Sequence, residues 1–199
     1  MSRRTPPHAL LAATLASLIA GCAAPPPLKL SESFTDPHVH TMPSQKKAQA
    51  ARPCMLVIDR ITDARSDARV LGSVAGRAVH APADVNAWLR NVLGGFGGRG
   101  VQLVYDANPT GDAQALVGSL TLKIAWVSEL HTDKNATTLW HLQLRRGEKT
   151  VLDQDFRGAD TAMNWASGDG ELQRMVDRAF GASLDQMAAE VRGACGLSS

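Results

Sequence analysis

Asp59, Asp63 and Asp67 recur at intervals of four in a run that also holds Arg60, Arg65 and Arg69. Gathered carboxylates are the donor set of a hard divalent cation, and a carboxylate pair can work as a general acid and base. Each use makes a further demand. A cation needs negative charge left uncompensated, and here three arginines neutralise it. Acid–base hydrolysis needs a second carboxyl in a cleft with a shifted pKa, which a sequence does not display. The stretch 59–69 follows the apolar run Cys54-Met55-Leu56-Val57-Ile58. That places it at the end of a strand, where open α/β sheets seat ligands. Asp59, Asp63, Arg65 and Asp67 therefore form the candidate binding loop. A solvated charged loop is the alternative, and no metal is expected.

Other chemistry fails on context. Gly95-Phe96-Gly97-Gly98-Arg99-Gly100 matches G-x-G-x-x-G, but a dinucleotide site needs that loop after a strand and opening a helix. Here the order is reversed, so a turn is expected and no nucleotide. His38 and His40 lie in a polar stretch, and His80, His131 and His141 share no ligand spacing. There is no Gly-x-Ser-x-Gly elbow, and Cys54 within an apolar run is a poor nucleophile. Trp88, Trp126 and Trp140 fall on expected core faces, whereas Trp165, beside Asn164, is the expected exposed contact. Neither catalytic residues nor cofactors are expected.

The third set of reactive residues is the cysteines. Cys22 follows Leu18-Ile19-Ala20-Gly21, which resembles the lipobox of bacterial lipoproteins, where the thiol takes a diacylglycerol and cleavage falls just before it. Arg3 and Arg4, then an apolar core over residues 10–20, have the form of a secretory signal and are too short for a permanent span. With Cys22 acylated, Cys54 and Cys195 remain. In an oxidising compartment they are expected to pair, two free thiols being the alternative.

Charge agrees with this division. The chain holds 21 basic and 19 acidic residues, and residues 1–21 carry two of the basic ones and no acid, so the remainder is neutral. Nothing then argues for nucleic acid or for polybasic attraction to anionic lipid. Membrane contact is expected through the acyl chains on Cys22, each buried CH₂ contributing about 0.8 kcal/mol. Residues 22–52, with Pro25-Pro26-Pro27 and no hydrophobic period, are expected to be a flexible lipidated tether spanning roughly 30 Å as a coil. Residues 53–199 are expected to be a single domain.

Within that domain, residues 54–58 read as a buried strand and Val70-Leu71-Gly72-Ser73-Val74 as a short edge strand. Pro82 and Asp84 open a helix whose apolar face is Val85, Trp88, Leu89, Val92 and Phe96. Val101–Tyr105 follows as a strand, giving a β-α-β crossover between parallel strands. Then Leu116, Gly118, Leu120, Leu122, Ile124 and Trp126 alternate with a more polar set. Trp140, Leu142 and Leu144 alternate likewise, and residues 151–156 return, making an antiparallel meander. Thr161–Asp169 reads as a loop. Glu171–Arg192 is the last and longest helix, with Leu172, Val176, Ala179, Ser183 or Leu184, Met187 and Val191 on its core stripe. The expected class is a two-layer α/β (α+β) fold, about five strands in a mixed sheet with the helices on one face.

Lipobox, tether, Asp63-Ala64-Arg65 after the first strand, the helix over 85–93, the strands and long hairpin, and the final helix together resemble small envelope lipoproteins of the YajG type. The layout is more distantly similar to the periplasmic unit of curli-secretion and Tol-system proteins. The resemblance implies a non-enzymatic binding or scaffolding module anchored in the outer membrane and facing the periplasm, with a protein partner in the cell envelope. Ala23 after the lipid cysteine is similar to lipoproteins sorted to the outer membrane. An auxiliary subunit of an envelope transport system, or an activator of a cell-wall enzyme, is the alternative. The resemblance supplies no active-site residues.

Overall fold

The computed structural model describes residues 25–37, 54–106, 115–163 and 169–197. Cys22, His38, His40, Asn164 and Trp165 lie outside them. The strands are β1 (Leu28–Lys29), β2 (Cys54–Asp63), β3 (Val70–Val74), β4 (Arg77–His80), β5 (Val101–Tyr105), β6 (Leu116–Leu130), β7 (Asp133–Arg146) and β8 (Lys149–Met163). The helices are α1 (Val85–Gly94) and α2 (Asp169–Ala194). The fold is mixed α+β around one eight-stranded mixed sheet, larger than the five strands expected.

The long strand β6 is the axis of the sheet. One edge pairs with β7 along its whole length, antiparallel, and β8 continues the meander. The other edge is shared. β2 runs parallel to residues 116–122, and β3 meets β6 at Gly72↔Val127. Beyond β2 lies β5, parallel to it, so the connection through α1 joins parallel strands as expected. Beyond β3 lie β4 and then β1. Val70–Val74 is therefore an internal strand, not an edge. It turns into β4 through Ala75 and Gly76, both at positive φ (51° and 71°), the backbone form of a tight hairpin.

Alternation fills one face with apolar side chains and leaves the other polar. Leu56, Leu120, Leu142 and Phe156 point to the helices and share one buried cluster with the stripes of α1 and α2. At its centre Phe180 of α2 meets Trp88 of α1 edge-on, centroids 5.2 Å apart, and Trp140 of β7 at 6.1 Å. Such contacts add about 0.5–1.5 kcal/mol beyond area burial. Asp84 caps α1, its Oδ1 accepting from the Ala87 amide at 2.9 Å. α2 sits so close to β8 that a Cβ on Gly158 would lie 1.8 Å from the Ala179 carbonyl oxygen. Only glycine fits there.

One register shift breaks the expected pattern. Leu122 pairs with Trp140 but Ile124 pairs with Leu139, so Lys123 is an extra residue in β6, a bulge. A slip of one residue exchanges the two faces. Beyond it Ala125 and Val127 are buried, whereas Ile124 and Trp126 face outward. The expected inward placement of Ile124 and Trp126 is corrected accordingly.

Residues 25–37, expected to be part of a tether, form a strap across the domain. β1 pairs parallel with β4, and Leu28 and Leu30 are buried in the main core. The Ser31 amide donates to Gln173 Oε1 and the Thr35 amide to Asp177 Oδ2. Burial pushes the Asp177 carboxyl above its usual range, opposed by its hydrogen bonds from Gln173 and Thr35. The strap ends on Arg99, which is 7% exposed. Its guanidinium donates to Asp36, to Asp185 Oδ1, and to the carbonyls of Gly95 and Gly181. Burial opposes that charge, but the two carboxylates outweigh it and raise the Arg99 pKa.

Cys54 at the start of β2 is bonded to Cys195 after α2, with Cα atoms 5.7 Å apart and 141 residues between them. Reduction should lower unfolding stability by about 5 kcal/mol in the chain-entropy model, read from urea melts with and without reductant. Arg99→Ala should cost about 3–5 kcal/mol, because it leaves Asp36 buried without its cation, and limited proteolysis should then cut within residues 25–37.

Candidate functional site

The candidate loop separates into three local arrangements. Asp59 lies inside β2 rather than in a loop, and accepts from Ser119 Oγ at 2.7 Å and Arg145 Nη2 at 2.8 Å. Asp63 ends the same strand and takes a two-pronged contact from Arg65, Nε at 2.8 Å and Nη2 at 2.7 Å. That guanidinium is buried over the Trp88 ring, 5.6 Å from its centroid, and also donates to the Ala68 carbonyl. Asp67 closes a turn, Oδ1 accepting from the amides of Arg69 at 2.7 Å and Val70 at 3.2 Å. The three carboxylates thus serve three separate structural contacts. Among the described residues no group of three or more His, Cys, Asp and Glu is placed to hold a metal ion.

The tertiary structure instead brings the loop over 64–69 beside the β6 bulge. β2 leaves β6 where the Ala64 amide donates to the Leu122 carbonyl at 2.9 Å. β3 rejoins at Val127. Between these points, among the described residues, no strand pairs with that edge of β6. The gap is a hollow of about 360 Å³ lined by Arg65, Ser66, Asp67, Val70, Lys123, Ile124, Ala125 and Trp126. Trp126, 51% exposed, and Ile124 are its apolar wall. Lys123 stands at the polar end, its Nζ 2.8 and 3.0 Å from the Asp155 carboxylate. Asp155 is also bonded to His141 Nδ1 at 2.8 Å. The Lys123 and His141 hydrogen bonds hold the Asp155 carboxyl below its usual range.

An aromatic wall, a charged rim and a backbone edge suit recognition of another molecule. Of the four candidate residues, Arg65 and Asp67 line the hollow; Asp59 and Asp63 do not. Sequence reasoning missed Lys123, Ile124 and Trp126. Their trace is faint. Carried two residues past Trp126, strict alternation would bury Ser128 and expose Val127, a poor exchange that marks a bulge upstream. Gly95–Gly100 follows α1 and enters β5, the reverse of a nucleotide loop, with Arg99 turned inward.

No family model matches the chain, and no curated protein matches it in sequence. Solved structures are similar to it in fold. Protein XCC0632 from Xanthomonas campestris, of the family described as DUF330, aligns with a TM-score of 0.54 at 10% identity, over 87% of this chain and 97% of that one. A minor lipoprotein from Acinetobacter baumannii aligns at 0.42 with 14% identity, over 71% of this chain and 92% of that one. Lipoprotein GNA1162 from Neisseria meningitidis aligns at 0.35 with 14% identity, over 68% and 99%. The first likeness is one of fold, and the other two are looser.

The bulge makes two tryptophans behave oppositely. Trp126→Ala should change stability by less than about 0.5 kcal/mol, whereas Trp140→Ala should cost about 3–5 kcal/mol, both read from urea melts.

Proposed function

We propose that this protein is a lipid-anchored envelope lipoprotein without catalytic activity. It stands on the periplasmic side of the outer membrane and binds a protein partner through the hollow beside Trp126. Cys22 behind Leu18-Ile19-Ala20-Gly21, at the end of a basic and then apolar leader, carries this reading. The Cys54–Cys195 bond suits an oxidising compartment, and Ala23 supports sorting to the outer membrane. The YajG-type resemblance belongs to the same reading. No helix among the described residues is long and apolar enough to cross a membrane; the attachment proposed is through acyl chains on Cys22. A half-exposed tryptophan beside a stretch of β6 edge that no described strand pairs supports partner binding, because tryptophan anchors a large share of interface energy.

Cells making the wild type should yield a fatty-acid-labelled protein in the membrane fraction, and Cys22→Ser should yield an unlabelled one outside it. A freely dissolved, unlabelled wild type refutes the anchor. For the partner, a photo-cross-linking residue at position 126 should capture one protein in cells, and the same residue at Val151 should not. Equal capture at both positions removes the hollow from the reading.

A further inference from the structure

We infer that one end of the sheet, the end carrying Leu130 and Met163, rests against the lipid surface. The domain then stands upright on the membrane with its strands along the membrane normal. This rests on acylation of Cys22.

Register places the anchor and that end together. Leu28 pairs with Val79, Val79 with Gly72, and Gly72 with Val127, so all four share one level of the sheet. Three residues back from Leu28 is Pro25, and three residues on from Val127 is Leu130. They reach the same end, beside the Ala75–Gly76 turn. Two contacts hold that end in place: Arg77 Nε donates to the Pro26 carbonyl at 2.8 Å, and the Ala75 amide donates to Glu129. Across the meander Leu130 pairs with Asp133 and Asp133 with Met163.

Chain length then limits where the lipid can be. Cys22 is three residues before Pro25, a reach of at most about 11 Å even fully extended. A coil of some 30 residues between anchor and domain does not exist on this path, because the strap is pinned from Leu28 to Asp36. At this same end sit the two most exposed large apolar side chains among the described residues, Leu130 at 64% and Met163 at 62%. The opposite end, at Gly147 and Glu148, is about 45 Å away along strands rising about 3.3 Å per residue. Glu129 and Asp133 accompany Leu130 in place of a lysine cluster, so contact is apolar and does not require anionic lipid.

The test uses the full-length, lipidated protein in phosphatidylcholine vesicles. Cys54 and Cys195 are bonded and Cys22 is acylated, so one added cysteine takes a fluorophore alone. Leu130→Cys and Glu148→Cys are labelled separately and challenged with spin-labelled lipid. The label at position 130 should shift to the blue and lose emission, and the label at 148 should do neither. Met163→Cys should repeat the result at 130 if Leu130→Cys disturbs the hairpin. Flotation reads the anchor separately: a wild type that does not float refutes acylation. Flotation with no quenching at 130, or with equal quenching at 130 and 148, refutes the orientation alone. A shift at 130 that follows protein concentration without vesicles assigns this end to a second copy and also overturns the inference.

Discussion

A guanidinium with almost no access to water joins the amino-terminal strap to the rest of the domain. Arg99 leaves the turn after α1, and its donors are divided between Asp36 of the strap, Asp185 of α2 and two backbone carbonyls. A buried cation is tolerated only when its donors are met. Each partner is therefore positioned as much by the cost of abandoning the charge as by its own contact. The glycines around Arg99 fit this role. A Cβ on Gly95 would crowd Phe34 and Asp36, and one on Gly181 would crowd Pro37, so both glycines let the strap seat against the turn and α2.

The second constraint is the fork in the sheet. One strand, β6, serves two neighbours along the same edge, and the bulge at Lys123 falls where one leaves and before the other arrives. The bulge turns Ala125 and Val127 into the core beside β3 and ejects Ile124 and Trp126. The same local event thus completes one half of the core and makes an apolar wall on the other face. The charged loop supplies the rim because Asp63 and Asp67 shape its backbone, not because they gather a ligand.

Strap, disulfide and buried ion pair form a continuous mechanical arrangement. The disulfide ties the first core strand to the end of α2, and Arg99 ties the strap to that helix. The domain and the strap that leads to Cys22 are thereby held as one body.

Much of the architecture was legible in the order of residues. The 3.6-residue stripes of α1 and α2, the parallel pair β2 and β5, the meander and the pairing of Cys54 with Cys195 rest on period, count and compartment, all local or compositional signals. The reading of Cys22 and its leader as a lipobox rests on the same kind of local signal. The strap was not, because two residues of parallel pairing and one buried ion pair leave no period in a proline-rich segment. The charged loop was half legible: its place after β2 followed from strand order, but its carboxylates went to separate partners, those of Asp59 brought near only by the folded chain. The bulge was hidden most completely. A single inserted residue changes no composition and little alternation, yet it reverses which face every later side chain occupies, and that choice is made by the neighbours β3 and β7 rather than by β6 itself.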